Sequence, residues 1–257
     1  MSEPQIENFV RPTCDDYINN RITDEQKAFM AKKIESEELE RKRIEAENLK
    51  KRCEESYEYF YQGSAYLPSD AINRKIDDLK KDNLEIYQMV SRWNVFGDYG
   101  FCMCGPVGTG KTYALTTILN FVARSLVDAN YPVTGTIIWR PMSMLLEELK
   151  DSFNEKESIL KKIGKFQDIR FLFIDDIGAH KITEFDVDKI ISILDYRVNH
   201  NLPTFFSTNC KIDQMKATFG ERIFSRIIAT AVMVEVKGKD RRLDIHSERL
   251  KHLKGTI

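Results

Sequence analysis

The sequence contains no apolar run long enough to cross a lipid bilayer, and this argues against a membrane-spanning protein. Its N-terminal stretch, MSEPQIENFVRPTCDDY, is polar and acidic, and it lacks the apolar centre that a signal peptide needs. Because neither a membrane span nor an export signal can be recognised, we expect the protein to stay in the cytoplasm, with no membrane association.

Cysteine and histidine are scarce, with five and four residues among 257. No two cysteines have CxxC spacing and the histidines are scattered, so a disulfide framework and a zinc site are both disfavoured. An excess of one charge sign is also missing. The formal net charge of −1 at pH 7 excludes a globally basic nucleic-acid binder, although it leaves room for a local basic patch.

The first region of the chain, residues 1–65, is strongly charged. Its stretch 23–60 has no glycine or proline and favours a helix, with supporting i,i+4 pairs such as Glu37 and Arg41. The apolar residues recur every five positions, so they wind around the helix and form no single stripe. Two interpretations stay open: a solvated helix or linker, and a partner-binding arm.

Residues 66–257 have a different pattern and are predicted to form one domain. A helix is expected over residues 69–93, after the loop-forming stretch QGSAYLPSD. From Gly97 onward, short apolar runs alternate with helical stretches, which predicts a parallel sheet covered by helices on both faces. The apolar runs are GFCMCG, GTIIWR, RFLFIDD, TFFSTN and VMVEV.

A glycine-rich loop, GPVGTGKT, lies between the first apolar run and a helical stretch, and it has the full Walker A spacing. Its glycines let successive backbone N–H groups point at a phosphate, and the helix N-terminus adds partial positive charge. Lys111 is predicted to reach the β- and γ-phosphates, and Thr112 to offer its hydroxyl to Mg²⁺. The predicted ATP-binding residues are Gly105, Pro106, Val107, Gly108, Thr109, Gly110, Lys111, Thr112 and Tyr113.

Two further strand ends are predicted to complete this site. The run RFLFIDD ends in Asp175, which would hold Mg²⁺ through its water shell, and Asp176, which would orient or deprotonate the attacking water. The run TFFSTN ends in Thr208 and Asn209, where a polar side chain can contact the γ-phosphate or the water.

Arginines follow in FGERIFSRI and GKDRRL. Arg222 and Arg226 are four residues apart on one helical face, which is typical of a solvated basic face. In an oligomeric ATPase, one of them would instead reach the γ-phosphate bound to a neighbouring subunit.

In their order, GPVGTGKT, FLFIDDIG, STN, FGERIFSRI and GKDRRL resemble the motifs of AAA+ ATPases of the bacterial helicase-loader group (DnaC and DnaI type). They are also similar to those of IstB-type transposition helper ATPases, and the resemblance covers Tyr99 to Leu243. It implies an α/β AAA+ P-loop NTPase fold with a five-stranded parallel sheet, no C-terminal lid domain and a preceding helical arm. It also implies a ring or spiral homo-oligomer with ATP between subunits.

The resemblance assigns roles to single residues. Asn209 corresponds to sensor 1, Arg226 to the arginine finger and Arg242 to sensor 2, with Arg222 as the alternative finger. The catalytic set is therefore Asp176, Asn209, Arg226 and Arg242, and the metal contacts are Thr112 and Asp175.

DNA contacts are implied by the same resemblance. The stretch SMLLEELKDSFNEKESILKKIGK is similar to the helical element that faces single-stranded DNA in initiator-type members. Lys150 would then contact a phosphate and Phe153 a base, while Thr183 and Phe185 fall in a second DNA-contacting loop. Ordinary core packing remains an alternative for both phenylalanines.

The function implied is that of an ATP-dependent helicase loader in the initiation of DNA replication. Residues 1–65 would bind a replicative hexameric helicase, the AAA+ domain would bind single-stranded DNA, and ATP hydrolysis would drive release. The alternatives are a transposition helper that acts on duplex DNA, a small-molecule P-loop kinase and a binding module that does not hydrolyse ATP.

One departure from the loader pattern concerns Asp176. Loaders of the closest type have Asp-Glu where this chain has Asp175-Asp176, and Asp-Asp also occurs among the transposition helpers. Aspartate is one methylene shorter, and a displacement of about 1 Å can cost on the order of a hundredfold in rate. We therefore expect hydrolysis to be slow, as suits a switch.

Overall fold

The computed structural model describes residues 23–150, 156–178 and 183–254. Its centre is a five-stranded sheet with the order β2-β3-β4-β1-β5, in which every neighbouring pair is parallel. The predicted α/β fold with a five-stranded parallel sheet is therefore confirmed. The strands are β1 Gly100–Cys104, β2 Ile137–Pro141, β3 Phe171–Ile177, β4 Thr204–Thr208 and β5 Ala231–Glu235.

Helices connect the strands and precede the first one. No helix within the described ranges is both long and apolar enough to cross a membrane. The helices are α1 Asp24–Gly63, α2 Leu79–Asp82, α3 Leu84–Arg92, α4 Lys111–Asp128, α5 Met142–Lys150, α6 Lys156–Asp168, α7 Glu184–Asn199, α8 Ile212–Thr230 and α9 Arg241–Lys254.

The sheet separates two apolar cores, because successive side chains of a strand point to opposite faces. On β1, Phe101 and Met103 pack into a core with α3 and α4, whereas Cys102 and Cys104 pack into a second core with α5 to α8. Burial on both faces explains why the strands read as continuous apolar runs. The carboxyl ends of the strands lie at one edge of the sheet because all neighbouring strands are parallel.

The prediction of a single helix over residues 69–93 is wrong for the first part of that range. The structure has short 3-10 turns at Ala71–Asn73 and Ile76–Asp78, and Arg74 between them is extended, with φ −72° and ψ 132°. Regular helix resumes with α2, and α3 begins at Leu84 behind an Asn83 side chain that accepts from the N–H of Ile86 at 3.2 Å.

The chain divides into two compact units, one that ends at Arg52 and one that begins at Cys53, both within the range of α1. The physical reason is burial. Cys53, Tyr57 and Phe60 are between 1% and 8% exposed, so these turns contribute to the core of the second unit. In the described part of the first unit, the large apolar side chains of α1 are exposed: Phe29, Ile34, Leu39, Ile44 and Leu49.

Candidate nucleotide-binding site

The phosphate loop joins the end of β1 to the start of α4 and requires its glycines. Gly105, Gly108 and Gly110 have φ values of 142°, 79° and 93°, which side chains other than glycine rarely tolerate. A Cβ at Gly105 would lie 2.6 Å from the carbonyl oxygen of Val236, and one at Gly108 would overlap the carboxylate of Asp240. The segment after β5 therefore packs closely against the loop, which leaves no room for side chains at these glycines.

Lys111 is the first residue of α4 and is only 6% exposed. Its Nζ donates to the carbonyl oxygen of Pro106 at 2.6 Å, so the amine lies within the loop. Burial lowers the pKa of Lys111, while the nearby carboxylates of Asp176 and Asp175 oppose that shift. A phosphate oxygen could replace the Pro106 carbonyl as acceptor without moving the lysine far, which fits the predicted role.

Thr112 and Asp175, the two predicted metal contacts, are in direct contact. The Thr112 hydroxyl donates to the two carboxylate oxygens of Asp175 at 3.1 and 3.2 Å, and Ser207 of β4 donates to the same carboxylate. Burial raises the pKa of Asp175, and the Ser207 and Thr112 hydrogen bonds partly offset that rise. A hydroxyl and a carboxylate are oxygen ligands of the kind that Mg²⁺ binds together with phosphate oxygens, so these residues fit the expected ion.

Asp176 and Asn209 are also in contact, since the Asn209 amide donates to Asp176 Oδ1 at 2.7 Å. Asp176 has a φ of 55°, a left-handed conformation that aspartate tolerates better than most residues, and it lies at an irregularity in the β3–β4 pairing. Its N–H donates to the Ser207 hydroxyl at 2.8 Å. Thr208, by contrast, is buried and donates to the carbonyl of Ile177, so it has a structural role.

One open cavity of about 760 Å³ unites these groups, and its volume lies in the range of small-molecule sites. The predicted residues that line it are Val107, Gly108, Gly110, Lys111, Thr112, Tyr113, Asp175, Asp176, Asn209 and Arg242. Two lining residues, Arg74 and Ser207, were not predicted from the sequence, and Arg241 was recognised in GKDRRL without a role. Ser207 directly precedes the predicted Thr208, and Arg241 precedes Arg242. Arg74 has no local motif that could have indicated it.

Arg226 and Arg222 are not among the residues that line this cavity. Arg226 makes a two-point ion pair with Asp195 of α7, with Nε to Oδ1 at 2.7 Å and Nη2 to Oδ2 at 3.3 Å. Arg222 lies 3.8 Å from Asp188 and its side chain is 65% exposed. Both follow Gly220, where a φ of 77° and ψ of 158° interrupt α8.

The implied DNA-contacting residues lie partly together. The Lys150 amine is 3.2 Å from the buried carboxylate of Asp186, and that carboxylate accepts from the hydroxyl and the N–H of Thr183. Thr183 also caps α7, because its hydroxyl accepts from the N–H of Asp186. Phe185 lies under the Lys189 amine, 5.0 Å from the ring centroid, while Phe153 lies outside the described residues.

The chain is similar in sequence to known proteins. Over 200 residues the chain is 28% identical to the replicative helicase loader DnaI of Bacillus subtilis, with 70% of this chain and 61% of that protein covered. It is 26% identical over 127 residues to the replicative helicase loader DnaC of Escherichia coli, with 49% of each chain covered. The chain thus spans between about half and three fifths of the length of these relatives.

The fold has solved counterparts. A crystal structure of DnaI superposes with a TM-score of 0.53 at 24% identity, over 69% of this chain and 95% of that one. Residues 41–249 match the family described as IstB-like ATP binding protein, which is most of the chain. The chain therefore belongs to the IstB-like ATP-binding proteins, AAA+ proteins related to the DnaI and DnaC helicase loaders.

Proposed function

We propose that this protein is an ATP-dependent helicase loader. It binds a replicative hexameric helicase through its N-terminal region and single-stranded DNA through its AAA+ domain, and ATP hydrolysis drives its release during the initiation of DNA replication. The observation that supports this most is the convergence of Lys111, Thr112, Asp175, Asp176 and Asn209 in one cavity. The relatedness to two proteins described as helicase loaders supplies the biological context.

The chemistry assigned to the site is the hydrolysis of the β–γ phosphate bond. The loop amides and Lys111 bind the phosphates, and Thr112 and Asp175 would hold a Mg²⁺ ion, which would supply charge stabilisation. Asp176 accepts the proton of the attacking water. Asn209 already donates to Asp176, so its amide is placed to orient that carboxylate or the water.

Lower pH is expected to weaken Mg²⁺-dependent ATP binding, because a proton on Asp175 competes with the metal. Burial raises the pKa of Asp175, so this loss begins at a higher pH than for an ordinary aspartate and grows as the pH falls towards the raised value. Calorimetric Kd values for ATP with and without Mg²⁺, between about pH 8 and pH 5.5, measure it. Asp175→Asn is the control, because it removes this carboxyl group but leaves the titration of ATP itself. If the Kd for ATP with Mg²⁺ changed equally with pH in the wild type and in Asp175→Asn, the prediction would be contradicted.

Arg226 is proposed to act on ATP bound by a neighbouring subunit of a ring or spiral. Its separation from the cavity of its own chain agrees with that role, and the Asp195 ion pair would then have to open on assembly. Arg226→Ala should lower ATP turnover at least about tenfold without changing ATP affinity in the isolated subunit. Asp195→Asn frees the arginine and serves as the matched control, which should keep turnover; equal losses in both variants would indicate a structural role.

Helicase binding tests the loader function directly. The purified protein with ATP should co-elute with the host replicative helicase, and a truncation that removes residues 1–52 should not. The cut lies at Arg52, since Cys53, Tyr57 and Phe60 belong to the core of the second unit and must be kept. Calorimetric ATP binding by the truncated chain is the control for folding. Retained helicase binding after truncation would contradict the proposed N-terminal contact.

A transposition helper that acts on duplex DNA is the second candidate function. The description of the matched family and the Asp175-Asp176 pair favour it. ATP-dependent binding to a long duplex, measured beside binding to a single strand of equal length, distinguishes the two functions. A preference for the duplex together with no helicase complex would favour the helper.

A further inference from the structure

Asn120 lies on α4, two helical turns after the phosphate loop, and is 5% exposed. Its Oδ1 accepts two hydrogen bonds from the C-terminal end of α1. The Tyr57 hydroxyl donates to it at 2.6 Å and the Tyr61 hydroxyl at 2.8 Å. Burial raises the pKa of both tyrosines, so the hydroxyls keep their protons throughout the pH range of any binding assay.

The amide nitrogen of Asn120 contacts a different part of the chain. Nδ2 donates to the carbonyl oxygen of Ile72 at 3.1 Å and to that of Arg74 at 2.6 Å. An asparagine side chain offers one acceptor oxygen with two lone pairs and two N–H donors, and here all four are used. Isosteric aspartate could keep the two tyrosine bonds, but it could not donate to the two carbonyls.

The segment that Asn120 holds contributes Arg74 to the lining of the nucleotide cavity. The Arg74 guanidinium lines that cavity and lies 4.5 Å from the centroid of the Tyr113 ring, which lines it too. Asp70 holds the guanidinium by two hydrogen bonds, at 2.7 and 3.1 Å, and Thr116 accepts a third. The Arg74 charge is thus paired inside the chain, while Lys111 and the loop amides provide the groups suited to phosphate.

A planar cation beside an aromatic ring is suited to a flat, polarisable group such as a nucleobase. We propose that Asn120 is a positioning residue that fastens the Arg74–Tyr113 wall to the end of α1, and that this wall binds the nucleoside part of ATP. The inference rests on the proposed ATP site and adds a connection between its nucleoside wall and the end of α1. A shift of Tyr57 and Tyr61 at the end of α1 changes the affinity for the nucleoside and leaves the phosphate contacts unchanged.

The test uses calorimetry on the full chain to compare two ligands. The first is MgATP, and the second is inorganic tripolyphosphate, which has no nucleoside, in the presence of Mg²⁺. Asn120→Asp should raise the Kd for MgATP about tenfold or more, because two buried carbonyls lose their donors, and should change tripolyphosphate binding less than about twofold. Tyr61→Phe should also raise the Kd for MgATP, by a smaller factor, and should leave the Kd for tripolyphosphate nearly unchanged. Ser125→Ala is the matched control, since among the described residues that hydroxyl bonds within α4, to the carbonyl of Phe121 at 2.8 Å.

Two outcomes overturn the inference. Unchanged MgATP affinity in both variants would show that Asn120 does not position the wall, and an equal loss for both ligands would place its effect at the phosphates or in folding. If Asn120→Asp does not fold, Tyr57→Phe combined with Tyr61→Phe gives the same comparison. Lys111→Ala must lose both ligands, and a wild-type protein that binds neither would instead refute the proposed ATP site.

Discussion

Replacing Asp176 with asparagine is expected to lower the single-turnover rate of ATP hydrolysis at least about a hundredfold, with the Kd for MgATP unchanged within about twofold. The substitution removes the carboxylate that we propose as acceptor of the proton from the attacking water. Asparagine has the same shape and also tolerates a φ of 55°, so the turn after β3 should persist. Chemical quench of pre-bound, labelled ATP measures the rate, and calorimetry measures the affinity.

Two further variants separate the metal contact from the proposed base and test the length of the side chain. Asp175→Asn should lose Mg²⁺-dependent binding as well as hydrolysis, which separates the metal contact from the base. Asp176→Glu lengthens the side chain by one methylene and should raise the rate if the aspartate is too short, although the left-handed backbone favours the shorter residue. Undiminished hydrolysis in Asp176→Asn would exclude this carboxylate as the base, and no gain in Asp176→Glu would exclude chain length as the cause of slow turnover.

The sequence is sufficient to predict the sheet and the phosphate half of the site. Strands buried on both faces read as short apolar runs, and each strand from β1 to β4 contains such a run, although β4 keeps only Phe205 and Phe206 between buried polar residues. The loop from Gly105 to Thr112 combines its glycines with a lysine at fixed spacing, so its backbone conformation is encoded locally. The polar strand ends at Asp175 and Asn209 meet at one edge because the strands are parallel.

The remaining contacts depend on tertiary structure that no local pattern encodes. Residues 69–93 have helix-favouring composition, yet Arg74 is extended because Asn120, 46 positions away, donates to its carbonyl oxygen and holds the segment against α4. The end of α1 is a second example. Tyr57 and Tyr61 have no local motif that indicates their role, and their hydrogen bonds go to Asn120, 63 and 59 positions away.

Arg197 illustrates such a contact, and it is expected to be the most sensitive position for stability. It lies on α7, has no exposed surface, and donates only to neutral acceptors among the described residues. Burial lowers its pKa to about 9, so it remains protonated at neutral pH. Its partners are the Thr204 hydroxyl and the carbonyl oxygens of Phe166, Gln167, Ile169, Arg170 and Pro203, at 2.7 to 3.3 Å.

These partners lie at the end of α6 and at the starts of β3 and β4, at the edge of the sheet away from the nucleotide cavity. Arg197→Met keeps most of the side-chain volume but leaves the carbonyls without donors, so the free energy of unfolding should fall by about 3–5 kcal/mol. Urea denaturation measures this change. Arg222→Met, whose side chain is 65% exposed, should change it by less than about 0.5 kcal/mol. A loss below about 1 kcal/mol in Arg197→Met would show that water replaces the guanidinium and that its contacts do not stabilise the strand starts.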